Sequence, residues 1–307
     1  MPPKIRVMSR QISILLPGED HLNHNIERAP KALPHERYLI GDSFALGSVL
    51  HTNPNDQIQL CIEPVHFHAT RDHLVLLPLS ELAIHANEVM ILMEEANNVL
   101  REEGIIPISL YRNTWVYAAN DYESLHTHSV TQAKGRNIDW WLPKDTSTLG
   151  LAKRWRRIQN EIQMRWHIHP INEAREAQGL PRINSVWVYG IGKATDITYS
   201  PELTNARQMI SDHPWMMAFA EQRSIPILNS ESIQWEQQPN NTFVWLENMK
   251  HQWPRLLQAM LESDLEVTLI DFPGIIRKRT LRAKDYRVPA WKFWHKNQPP
   301  TWEELQE

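Results

Sequence analysis

Cysteine is nearly absent: Cys61 is the single one in 307 residues. That excludes an internal disulfide framework and any multi-cysteine zinc or iron–sulfur site, and it makes a reducing, cytoplasmic setting the expectation. No apolar run reaches the ~20 residues that a membrane span needs; the longest, residues 89–100, is broken by Glu94, Glu95, Asn97 and Asn98. A signal peptide is not expected either, since the apolar patch at residues 12–16 stops at Pro17 and runs into Gly18, Glu19 and Asp20. Charge of one sign is not in excess. Thirty-two basic against 36 acidic residues leave a net charge of −4, which argues against a general electrostatic grip on nucleic acid or on an anionic membrane. Also missing are a Gly-x-Ser-x-Gly elbow around Ser185, a phosphate-cradling loop and a dinucleotide fingerprint, and Cys61 reads as a small buried hydrophobe.

What is present is a globular composition, 42% hydrophobic and 22% charged, in a chain long enough for two domains of roughly 150 residues. Apolar runs at residues 5–7 and 11–16 predict a short buried strand, residues 39–50 a short helix, and residues 58–69 with 74–77 a hairpin. Val89, Leu92, Met93, Ala96, Val99 and Leu100 recur at helical spacing, with Gly104 as the stop. A second hairpin is expected over residues 106–118. A long helix is expected over 151–167, interrupted before Pro170, followed by a short one over 172–178. From residue 184 onward strands at 184–189, 225–228, 242–246 and 265–270 alternate with helices at 215–223 and 254–262, a pattern that predicts βαβ units and a mainly parallel sheet.

One block is unlike generic helix-loop-strand sequence. His169-Pro170-Ile171-Asn172-Glu173-Ala174-Arg175 is followed by Gly179, then by Asn184-Ser185-Val186-Trp187-Val188-Tyr189-Gly190-Ile191-Gly192. It gathers a histidine, two asparagines and an arginine around one helix break and leads into a strand ending in Gly-x-Gly. In an open α/β sheet the carboxyl end of such a strand is where ligands sit, with glycines letting backbone amides approach. His169, Asn172, Arg175, Asn184, Trp187, Gly190 and Gly192 are therefore the candidate ligand-binding residues, with a small anion as the expected ligand and Arg175 as its charge. The same polar set serves equally well as architecture, with His169 capping the helix break.

The block resembles the His-Pro-x-Asn-x-x-Arg…Gly-x-x-x-x-Asn stretch of the archaeal-type cofactor-independent phosphoglycerate mutases. It resembles still more closely the RpfE-type bacterial regulatory proteins, which share the Gln-Asn-Glu-Ile-Gln-Met lead-in at residues 159–164 and the Asn-Ser-x-Trp strand at 184–187. Weaker agreement covers residues 63–66, 71–72, 97–104 and 138–143. The resemblance implies an alkaline-phosphatase-like α/β core. Combined with the hairpin-rich middle of the chain, it gives a core of residues 1–55 and 184–307 with a smaller inserted α+β domain at 56–183. In the mutases two divalent metals held by aspartates and histidines activate a Ser or Thr nucleophile. Three departures argue against that chemistry: the first strand ends Leu16-Pro17-Gly18 where theirs ends Asp-Gly, no Asp-His-x-x-Pro signature follows Asn240, and Tyr189 replaces the arginine of their Arg-Gly-x-Gly.

The resemblance thus implies a regulatory or small-anion-binding protein, without a cofactor, on a degenerate mutase scaffold. Two alternatives stand beside it. A metal-dependent phosphoryl-transfer enzyme, carrying manganese or zinc, would draw its ligands from Glu19, Asp20, His66, His68 and His169. Of three His-x-His pairs, His66 and His68 share a strand face, but two ligands fall short of the four of a closed zinc site. An interaction protein would use a basic run, Arg277-Lys278-Arg279, Arg282, Lys284 and Arg287, with Trp291 and Trp294 behind it; a solvated edge strand is the plainer reading. Trp155, Trp166, Trp187 and Trp253 fall on apolar faces and are expected in the core. The cluster Lys153, Arg154, Arg156 and Arg157 reads most simply as a solvated helix start, although positive charge there opposes the macrodipole and favours an acidic partner.

Overall fold

Residues 10–15 alternate between core and surface and form strand β1 (Arg10–Leu15). The computed structural model describes residues 10–20, 29–51, 56–263, 265–286 and 301–306. After Glu19 the chain leaves one compact unit, builds a second over Asp20–Tyr199, and returns to the first from Ser200.

The second unit contains α1 (Pro34–Ile40), α2 (Leu46–Leu50), β2 (Gln59–Ala69), β3 (Leu74–Pro78), α3 (Ala86–Glu102), β4 (Ile106–Tyr111) and β5 (Thr114–Ala118). It continues with β6 (Leu125–His126), α4 (Val130–Ala133), β7 (Lys144–Asp145), α5 (Leu151–His167), α6 (Pro170–Ala177) and β8 (Ser185–Gly192). Its sheet runs β3-β2-β5-β4, all antiparallel, with β8 also paired to β2. The two expected hairpins and the helices α3, α5 and α6 form where the sequence placed them, whereas residues 39–50 hold the end of α1 and the whole of α2 in place of one short helix. The apolar stripes of α3 and α5 pack on one face of the sheet, where Leu92, Met93, Trp155, Ile158, Ile162 and Trp166 meet Leu60, Ile62, Val186 and Val188. The basic start of α5 finds its acid within the unit: Arg154 and Arg157 both bind the Glu103 carboxylate, at 2.8 and 2.5 Å.

The first unit adds α7 (Pro201–Thr204), β9 (Gln208–Ile210), α8 (Pro214–Gln222), β10 (Ile227–Leu228), β11 (Thr242–Trp245), α9 (Trp253–Glu262), β12 (Leu265–Asp271), β13 (Arg277–Arg282), α10 (Ala283–Tyr286) and α11 (Trp302–Gln306). Its sheet order is β10-β9-β11-β1-β12-β13, parallel except for β13. A mixed α/β protein with a largely parallel sheet is therefore what the chain forms. On one face Ile12, Ile14, Val244, Val267 and Leu269 pack against Leu256, Leu257 and Met260 of α9.

Two expectations are corrected. Residues 184–192 do not enter the parallel sheet: β8 lies antiparallel to β2, with Cys61 opposite Tyr189 and Val65 opposite Ser185. Every residue of β8 is buried, and a strand buried on both faces reads the same whether its neighbours run parallel or antiparallel. Consequently residues 20–55 and 184–199 belong with 56–183, and that unit is the longer of the two. The basic run is the edge strand β13, but its charges are met: Arg277 and Arg279 share Asp271, at 2.7 and 2.8 Å, Lys278 binds Glu202 and Arg282 binds Glu266. Residues 5–7, Arg287, Trp291 and Trp294 lie outside the described residues.

Candidate functional site

The polar residues of the 169–192 block converge, and they converge on backbone. His169 caps α6, its Nδ1 accepting the Ile171 N–H at 3.1 Å. Asn172 is wholly buried; its amide donates to the carbonyls of Trp166 and Ile183, each at 2.8 Å, and its Oδ1 accepts the Ile183 N–H at 2.8 Å. Asn184 closes a two-way pair with the backbone of Phe67, and Trp187 Nε1 donates to the His128 carbonyl at 2.8 Å. Arg175, buried as well, donates to the carbonyls of Pro181 and Ala83 and pairs with Glu88 at 2.9 Å. Its Nη2 is buried without a hydrogen-bond partner among the described residues. Gly190 sits at φ +65° with the Leu46 Cβ 2.9 Å from where its own Cβ would stand, and at Gly192 the Ala45 Cβ would be 2.6 Å away. Both glycines thus make room for α2 and its flank against β8.

The remaining candidates are similarly engaged. His66 Nδ1 contacts the Arg182 carbonyl at 2.8 Å, and partial burial lowers its pKa. The His66 and His68 rings are 5.7 Å apart. Asp20 accepts the Gln132 amide at 2.6 Å. No three His, Cys, Asp or Glu side chains are grouped as metal ligands among the described residues. Tyr189 donates to Glu63, which also accepts the Thr114 hydroxyl at 2.7 Å; burial raises the Glu63 pKa. Cys61 is buried beside it and burial pushes its thiol up, the opposite of an activated nucleophile. Glu36 is enclosed too: its Oε2 accepts the Leu33 N–H and the Ser129 hydroxyl, each at 2.8 Å, and burial pushes its pKa up to about 7.

Open polar surface lies instead in the parallel-sheet unit. The chain leaving β9 runs through α8 to β10 on one side, whereas the chain leaving β11 runs through α9 to β12 on the other. Strand order reverses between these two neighbours, and at the carboxyl ends of such a pair the departing loops part and leave a crevice. A crevice of about 450 Å³ is found there. Ser211, Asp212 and His213 enter it from the end of β9, and Trp245, Glu247 and Asn248 from the end of β11; Ser230, His251 and Gln252 also line it. The His213 ring stacks on Trp245 with centroids 4.3 Å apart and planes 11° from parallel. Trp215 meets Trp245 edge-on at 5.5 Å. Asp212 is held in place by the backbone N–H and the hydroxyl of Ser230. Gln252 Oε1 is buried with no hydrogen-bond partner.

A second cavity, of about 560 Å³, lies in the other unit beside Asp72, His73, Arg136 and Trp141. Its charges are answered internally: Asp72 pairs with His73 at 2.9 Å, and the Arg136 guanidinium lies 5.2 Å from the Trp141 ring centre.

No family model matches the chain, and no curated protein matches it. Among solved structures it is similar to the cofactor-independent phosphoglycerate mutase from Thermoplasma acidophilum DSM 1728, with 12% identity, 90% of each chain covered and a TM-score of 0.37. It is also similar to the PH0037 protein from Pyrococcus horikoshii, with 12% identity, 86% of this chain and 82% of that one covered, and a TM-score of 0.38. Likeness this distant assigns neither an activity nor a residue to this chain.

The crevice residues were not among the sequence candidates. Their signal was present: Ser211, Asp212 and His213 stand between an apolar pair, Met209-Ile210, and a helix-opening proline. The strand that makes this pattern meaningful, β9, is three residues long and too short to register as a period.

Proposed function

We propose that this chain is a ligand-binding protein of regulatory type whose site is the crevice at the carboxyl ends of β9 and β11. The observation that carries the reading is the convergence of an aromatic stack, two carboxylates and a buried orphan acceptor at the point where strand order reverses. A cytoplasmic location belongs to the same proposal; what supports it is the single cysteine and that no helix among the described residues is long and apolar enough to cross a membrane. The metal-dependent phosphoryl-transfer reading has less behind it, because His66, His169 and Asp20 each engage a protein group already. A small anion on Arg175 is favoured by one observation, the buried Nη2 without a partner; its signature is a phosphate-dependent rise in Tm that Arg175→Ala abolishes.

The test compares the wild-type chain with Asn248→Trp, which places an indole in the crevice mouth from an exposed position. In ligand-observed NMR with a fragment set of mixed charge, fragments bind the wild type and are lost in the variant. Fragments that bind both equally overturn the site. Manganese- or zinc-dependent hydrolysis of a phosphate ester, abolished by His66→Ala, overturns the binding role in favour of catalysis.

A further inference from the structure

The lining of the crevice specifies the charge of its occupant. Asp212 and Glu247 contribute two carboxylates and His213 and His251 two imidazoles, and neither lysine nor arginine lines it. Lys250, next in sequence to the lining residue His251, is directed to Glu303 at 3.0 Å. One consideration opposes a negative crevice: α8 and α9 both begin there, and helix N-termini carry about half a positive charge each and bind anions through free N–H groups. Those donors are largely removed. Pro214 opens α8 and Pro254 stands in the first turn of α9, and neither has an N–H. The His213 N–H goes to the Ser211 hydroxyl at 3.1 Å, while the N–H groups of Gln252 and Trp253 go to the Met249 carbonyl at 3.0 and 2.8 Å. Two full carboxylates then outweigh two half charges.

Two features ask for a positive charge and a third for a hydrogen-bond donor. The carboxylates attract it. The electron-rich face of the Trp245–His213 stack, backed by Trp215, suits a cation lying near the rings. Gln252 Oε1, buried without a partner, needs an N–H. A bare metal ion fits less well, because the crevice acids and histidines are not grouped as metal ligands.

We propose that the crevice recognises a protonated organic amine, with Asp212 and Glu247 neutralising its charge, the Trp245–His213 stack contacting its carbon body and Gln252 accepting one of its protons. The proposal rests on the reading of this crevice as the ligand site, and the experiment separates the two. Three probes with one carbon body, 2-phenylethylamine, 2-phenylethanol and 3-phenylpropionate, are titrated against the full chain, its Asn248→Trp variant and its Glu247→Gln variant. The amine binds about tenfold more tightly than the alcohol, the carboxylate more weakly than both, and Glu247→Gln removes most of the amine's advantage while leaving the alcohol unchanged. If the carboxylate binds as well as the amine, or the amine ignores Glu247→Gln while all probes are lost in Asn248→Trp, the ligand class is wrong and the site stands. If no probe is sensitive to Asn248→Trp, the site itself is wrong. Manganese or zinc binding that depends on Glu247, with no amine binding, replaces the amine by a metal.

Discussion

The two units use polar side chains in opposite ways. In the unit of Asp20–Tyr199, Asn172, Asn184 and Gln159 are turned inward, and every hydrogen bond described for them ends on backbone or on Ser185. In the parallel-sheet unit Asp212, Glu247, Asn248 and His251 stand exposed around a crevice. A buried polar group must be matched or it costs stability, so an inward cluster is selected for completeness of its bonds. A group at the open end of a sheet carries no such requirement and is free to serve a ligand. The density of unusual residues in a sequence therefore marks where matching is demanding, which is a different place from where recognition happens.

That contrast predicts large stability effects in the Asp20–Tyr199 unit and small ones around the crevice. Asn172→Leu strands the carbonyl and the N–H of Ile183 in the interior and lowers stability by about 4 kcal/mol, seen as a shift of the urea midpoint; a loss below about 1 kcal/mol removes the distinction between the two regions. Glu36→Gln acts through pH. The folded state keeps Glu36 protonated up to about pH 7, whereas the unfolded chain ionises it near 4.5. The unfolded state therefore releases its proton first, and Glu36 lowers wild-type stability as pH rises from 4.5 to 7, by about 3 kcal/mol. The glutamine variant, which keeps an oxygen for Leu33 and Ser129, lacks that fall. His128 works in the reverse direction: burial and the neighbouring His126 bring its pKa down to about 4, so its contribution is lost as pH falls from 6.5 to 4. The variant should consequently show stability rising with pH over this range in urea titrations; a slope identical to wild type contradicts the burial of Glu36.

Gly192→Ala sharpens the reading of the Gly-x-Gly pair. With the Ala45 Cβ 2.6 Å from the added methyl, the variant loses about 2 kcal/mol by overpacking in thermal denaturation. Unchanged stability would mean that the glycine is there for some purpose other than packing. At the small end, Glu247→Gln moves the urea midpoint by no more than about 0.5 kcal/mol equivalent, while altering amine binding as described above. A large stability loss there would make the crevice acids structural and erase the contrast.

Much of the fold was legible because amphipathic helices announce themselves. The spacing of Val89, Leu92, Met93 and Ala96, and of Trp155, Ile158, Ile162 and Trp166, fixed α3 and α5 without any tertiary information. The strand at residues 184–192 was equally visible, yet its sheet was not, since uniform burial hides the direction of its neighbours. The cap made by His169 followed from the proline behind it. The crevice was not legible because it depends on which strands are neighbours: Asp212 and Glu247 are brought together only by the pairing of β9 with β11. Side-chain type told where bonds were needed, and topology alone told where a ligand could reach.

The position of β1 has a consequence for how the chain is made. It is synthesised ahead of the entire Asp20–Tyr199 unit, but its two partners, aligned through Ile12 with Thr242 and with Val267, emerge only after that unit. On the ribosome the antiparallel unit is complete and free to fold while β1 waits with both edges unpaired. The parallel sheet closes last, through contacts of very high sequence separation, which makes it the slow phase of folding and the one most exposed to aggregation. A circular permutant beginning at Ser200 and ending at Tyr199 would let β1 emerge directly behind the strands it joins.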